Sequence, residues 1–192
     1  MDGWGQVWAL VGEGGAGGFL IAVCLGLGLA AATGLRAFLP LLIVAVLARF
    51  KLMGVDFGPN FAWLESNTAL IALSAAVVAE LVLDKIPAVD SAVDVVMTAV
   101  RPALAAVLVM ASFSQADPAV APILALIAAP VALIGHGAKA VTRPAVTATT
   151  GGLGNPVASV AEDGWAVVLT GLALLAPLLV PLAIMLSIWI LW

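Results

Sequence analysis

Charged side chains are too scarce in this chain to clothe a surface in water. Asp, Glu, Lys and Arg make up 9% of its 192 residues and 64% are hydrophobic, whereas a soluble domain carries about 25% charged residues. Lipid must therefore be the solvent. The expected fold class is an all-α, polytopic transmembrane helix bundle of about six spans with Pro- and Gly-broken helices. Spanning segments must satisfy their own backbone polar groups, and no series of short alternating strands is present to build a barrel. The natural organisation is one domain over 1–192, with 1–18 as an interfacial segment and 19–192 as the bundle.

The formal net charge of −4, without any basic run, excludes nucleic acid as a partner. Cys24 stands alone in an apolar run, so it forms no internal disulfide and packs as a small hydrophobe. No Arg/Lys-rich start precedes a short apolar core, so no cleavable signal peptide is expected.

Trp4 and Trp8 share a helical face and favour the headgroup level. A first span is read over 19–33, with Gly26 and Gly28 suited to close helix contact. It stops at TGLRAFLP (33–40), where Arg36 marks either a tight hairpin or an unwound break. A second, short span covers 38–50 and is closed by Arg49 and Lys51. A loop with Asp56, Gly58 and Pro59 leads to a third span ending at residue 86, with Glu80 and Asp84 four apart. A fourth runs from 89 to 113 through Pro102, and a fifth from 119 to about 141. After TTGGLGNP (149–156), Asn155 is a good N-cap and Pro156 a good first helical residue. The sixth span then continues to the end, bent at Pro177 and Pro181. On one straight helix Trp165 and Trp189 would stand about 36 Å apart and mark the two interfaces.

Six spans put Arg36, the 80–94 acids and the 136–163 stretch on one side. Both termini and the loops near Asp56 and Asp117 fall on the other. The positive-inside rule makes the first side cytoplasmic.

Polar groups are expensive in hydrocarbon, so the stretch from His136 to Asp163 is a site hypothesis by default. His136, Lys139 and Arg143 lie on one helical stripe. Asp90, Asp94, Met97 and Arg101 lie on another, and opposite charges on facing helices would neutralise one another. AVRPAL (99–104) rhymes with AVTRPAV (140–146), and LRAFLP (35–40) is a looser echo. Arg–Pro inside an apolar helix frees a carbonyl and brings donors to it, and paired broken helices point to a transporter site. TTGGLGNP could offer amides to an anion, unless Glu162 and Asp163 fill that helix start themselves. It is no P-loop, because the following Lys and Ser/Thr are absent. Asp84, Asp90, Asp94 and His136 could also form a carboxylate metal site or an aspartyl pair. With one histidine, no HExxH and no GxSxG, neither an enzyme nor a cofactor or metal is expected.

GLRAFLPLL (34–42), ELVLDKIPAVDSAVD (80–94), RPALA (101–105) and KAVTRPAVTATTGGLGNPVASVAED (139–163) carry a resemblance over roughly 19–175. The chain resembles an uncharacterised bacterial integral membrane family, domain of unknown function 4126. The resemblance implies a multi-pass protein of the bacterial inner membrane and supplies no catalytic residues. It favours treating Arg36, Asp84, Lys85, Asp90, Asp94, Arg101, Lys139, Arg143, Asn155, Glu162 and Asp163 as one set, to which the stripe adds His136.

The expected function is transport or permeation of a small anionic solute or a proton-coupled ion. Arg101, Lys139 and Arg143 would attract the anion. Asp84, Asp90, Asp94 and Glu162 would balance them and take up protons, since burial disfavours the carboxylate. The glycine turn would be the hinge. The competing readings are a structural or partner-binding protein held by its ion pairs, and a lipid-handling protein. The expected partners are the bilayer and a small anion or proton. Small-xxx-small spacing at Gly14 and Gly18 would also permit association of copies.

Overall fold

The computed structural model describes residues 15–84, 87–115 and 119–191, with the backbone alone for 87–92, 190 and 191. The expectations for Trp4, Trp8, Gly14, Lys85 and Asp117, and for the Asp90 side chain, lie outside the described residues. Among the described residues there is no strand. The longer helices are α1 (Ala16–Leu35), α2 (Leu39–Arg49), α3 (Asn67–Leu83), α4 (Pro87–Ser112), α5 (Val120–Thr150), α6 (Asn155–Leu175) and α7 (Val180–Leu191).

Helix α1 is apolar on every side and forms the axis of the bundle, with α4, α5, α6 and α7 packed around it. Its glycines make this possible. A Cβ on Gly28 would meet Ala173 Cβ at 2.7 Å, and one on Gly34 would lie 2.5 Å from Ala132 O. Such close approach is how helices gain packing where lipid removes the hydrophobic incentive to associate. The same contacts fix direction. Gly26 meets Leu124 and Gly34 meets Ala132, so α5 runs parallel to α1. Phe113 lies at Gly26 and Arg101 at Gly34, so α4 runs antiparallel. Ser159 lies at Arg36 and Ala173 at Gly28, so α6 is antiparallel too.

Arg36 leaves the helix at φ −132°, ψ 115°. Of the two readings of TGLRAFLP, the hairpin is realised. Helix α2 turns back, and the segment after it reaches the far end of α4, where Ser114 Oγ donates to Phe57 O. Helix α3 returns to Arg36 beside α2. The 50–66 turn is tied by Asp56, which accepts from Gly58 N at 2.8 Å, and by Lys51 at 3.2 Å from Asp56. The Gly58 amide, and then Lys51, hold the Asp56 carboxyl below its usual range.

The structure revises the expected spans. Among the described residues, four helical segments are long and apolar enough to cross a membrane: Ala16–Leu35, Val93–Ser112, Val120–Thr150 and Asn155–Leu175. A fifth is added if Gly58–Glu65 and Asn67–Leu83, bent by 61°, act together. Six spans are not reached among the described residues, for two reasons. Helix α2 has 11 residues and covers only about 16 Å of a core about 30 Å thick. The sixth apolar run is two pieces rather than one. Proline disfavours the helical conformation of the residue before it, and Ala176, before Pro177, leaves the helix at φ −152°, ψ 66°. The chain then reverses rather than bends. Val180 lies against Gly28, and Trp165 Nε1 donates to Ser187 Oγ at 2.8 Å. Trp165 and the Trp189 end of α7 therefore share one level instead of marking two interfaces. The described C-terminal end lies on the side of Arg36, not opposite it.

The internal prolines break less than expected. Helices α4 and α5 run through Pro102, Pro130 and Pro144. Helix α5 continues to Thr150, past the expected end near Val141, and at 31 residues is about 46 Å long. His136, Lys139 and Arg143 thus sit near and just beyond its midpoint rather than at an end.

Candidate functional site: a buried ion-pair cluster

The reversal at Arg36 places a guanidinium where three helices converge, and its side chain is fully buried. It pairs with Asp84, at the C-terminal end of α3, and with Asp163 of α6. Its Nη2 donates to Ser159 O at 3.1 Å and Ser159 Oγ at 2.8 Å. Asp84 Oδ2 also accepts from Lys139 Nζ at 2.8 Å. Arg143 makes a forked pair with Glu162, at 3.1 Å from Nε and 2.8 Å from Nη2. Its Nη1 donates to the Asp84 carbonyl at 3.4 Å. Lys139 also lies 3.7 Å from Asp94 and 4.0 Å from Glu162.

One helix turn away lies a second group. Arg101, fully buried, donates through Nη1 to Gly34 O at 2.7 Å and to His136 Nδ1 at 2.9 Å. Its Nη2 is 3.5 Å from Glu80 Oε1. Glu80 accepts from Ala37 N at 2.9 Å and from Phe38 N at 3.3 Å. Arginine stays protonated and has no acceptor, so His136 Nδ1 must be the acceptor and the ring proton sits on Nε2. That nitrogen faces Thr98 Oγ1 at 3.1 Å, whose hydroxyl donates to Asp94 O at 2.9 Å. His136 is thereby a neutral spacer that aims Arg101, not a third cation beside Lys139 and Arg143.

Charges removed from water need partners, and the partners differ from those the stripes implied. Among the described residues, the ion pair that joins α4 to α5 as expected is Asp94 to Lys139. The main counter-charges of α5 come from Asp84 and Glu162. Arg101 and Arg143 reach other helices rather than a proline-freed carbonyl of their own. Glu162 and Asp163 sit two turns inside α6 and pair with Arg143 and Arg36, so they do not fill its start.

Asn155 stands apart from the cluster. It is the first residue of α6, with Gly154 at the N-cap, and its Nδ2 donates to Thr147 Oγ1 at 2.9 Å. The glycine turn is not an open amide cradle: Gly154 N donates to Thr150 Oγ1 and Asn155 N to Gly152 O. No cluster among the described residues has three or more His, Cys, Asp or Glu side chains placed to hold a metal.

Glu80, Ser159, Thr98 and the Gly34 carbonyl belong to the site but not to the set read from sequence. Glu80 carried a signal, being one turn before Asp84. The other three carried none.

The model of one family, described as domain of unknown function (DUF4126), matches residues 23–192. The chain belongs to this family. Its DUF4126 region includes every residue of the cluster. No curated protein and no solved structure matches the chain.

Proposed function

We propose that this DUF4126 protein is a multi-pass protein of the bacterial inner membrane that carries protons, coupled to a small ion, through its buried cluster. The observation that carries the reading is Asp94, whose Oδ1 is buried without a hydrogen-bond partner, 3.7 Å from Lys139 Nζ. A carboxylate oxygen left so in low dielectric calls for a proton or a cation.

Asp94 is the acid with the weakest partner. Its side chain is 19% exposed, and its neighbour Lys139, 3.7 Å away, is already committed to Asp84 at 2.8 Å. Asp94 therefore takes the loading role. In vesicles reconstituted with purified protein, Asp94→Asn should lower proton flux about tenfold or more while leaving thermal unfolding unchanged. Wild-type flux no higher than that of empty vesicles sinks the reading. In that case the cluster serves as scaffold, which the acidic partner of each buried cation supports.

Orientation follows from the same geometry. Buried, paired cations are not loop charges. The exposed described bases are Arg49 and Lys51, both at the end opposite Arg36. The positive-inside rule then turns the 50–66 end to the cytoplasm, the reverse of the assignment that counts every base. A cysteine placed at Lys51 should react with an impermeant thiol reagent in inside-out vesicles and not in intact cells; the opposite pattern overturns this assignment.

A further inference from the structure

We infer that the N-terminus of α2, together with Arg101, is a binding site for a small inorganic anion of halide size, filled in this structure by the Glu80 carboxylate. The inference names the ion for the permeation reading. It rests on that reading only for the ion's movement, not for its binding.

A helix start presents unpaired amides and the positive end of the helix dipole. Here the reversal at Arg36 buries that start inside the bundle, where Phe38 N, at the N-cap, donates to Glu80 Oε2 and Ala37 N, just before it, to Glu80 Oε1. The second observation is Arg101. Its side chain is fully buried, and Nη1 is pinned by Gly34 O and His136. Its Nε and Nη2 have no hydrogen-bond partner, and Nη2 lies 3.5 Å from Glu80 Oε1. Two amides and the Nη2 of a fixed guanidinium thus face the one carboxylate.

Glu80 fills that position loosely. Charge-assisted hydrogen bonds run at about 2.7–2.9 Å, and of its contacts at 2.9, 3.3 and 3.5 Å only the first is that short. A monatomic anion has no planar geometry to satisfy and can take these donors in the carboxylate's place. The carboxylate is also carried by a lightly anchored element, since α3 buries only Val77 and Glu80. One guanidinium and two amides supply a single full positive charge, which favours a monovalent anion.

The test is thermal unfolding of purified Glu80→Gln in bromide and in gluconate at matched ionic strength. The variant removes the resident charge and keeps the shape. Bromide should raise its midpoint by about 5 °C over gluconate, and wild-type protein should show no difference. Glu80→Asp, which draws the carboxylate back from the amides, should show the same preference more weakly. A variant recovered only in bromide also supports the site. No salt preference in either variant overturns it, as does failure of both to fold in either salt, because an anion there would replace what the carboxylate supplies. Bromide stabilisation without proton flux would leave the site standing and remove the permeation reading. Flux without bromide stabilisation would do the reverse.

Discussion

Arg36→Ala should unfold the bundle rather than merely silence it. The substitution takes a buried counter-charge from Asp163 and from Asp84, and removes the guanidinium that donates to the Ser159 oxygens. Breaking a buried pair by removing one partner costs about 3–5 kcal/mol. In a chain of this size that lowers the melting temperature by roughly 10 °C, read in detergent alongside the loss of a monodisperse peak. Arg36→Lys should fall between, because a point charge cannot serve both carboxylates and the Ser159 oxygens as a fork does. Arg49→Ala is the control. Arg49 is exposed and holds only Asn67, at 3.2 Å, so its change should be within about 0.5 kcal/mol. A melting curve for Arg36→Ala that overlays the wild type would mean that these charges are individually hydrated.

The second large effect is expected at Gly34. Its added methyl would lie 2.5 Å from Ala132 O and 3.0 Å from Ala132 Cα, which are backbone atoms with no rotamer to adopt. The α1–α5 seam must open, and overpacking of this kind costs about 1–3 kcal/mol. Gly34 O is also the acceptor that fixes Arg101, so Gly34→Ala disturbs the site along with the packing. Gly137→Ala on the same α5 helix has nothing within 4 Å and should be neutral or slightly stabilising. Equal melting temperatures for the two variants would refute the close seam.

The charged residues were legible because an apolar chain has so few that each must be held by something. Arg36, Asp84, Arg101, Lys139, Arg143, Glu162 and Asp163 do meet in space. Their pairing was not legible, because it depends on helix register. That register is set at Gly34 against Ala132 and at Gly28 against Ala173, contacts between small apolar residues with no pattern to distinguish them from the rest. Glu80 was visible one turn from Asp84, but its partners are the amides of a helix start whose burial only the fold reveals. The apolar run after Gly154 exceeds one span, and two prolines within it are equally consistent with a bend and a reversal. Position 176, next to Pro177, decides between them. From sequence the fifth span reads to about Val141, and a cation just past that point needs support in lipid if the helix is to go on. Glu162 supplies the support from α6, and α5 continues.

Glu80 and Asp84 stand one turn apart at the end of α3, which otherwise buries only Val77 fully and rests Leu70 and Leu73 partly against the core. A modest tilt of that single rod would withdraw both acids in one stroke. Arg101 would lose its neutraliser at the same instant as Arg36 and Lys139 lost theirs. The two halves of the cluster are thus geared together, and whatever enters one must register in the other.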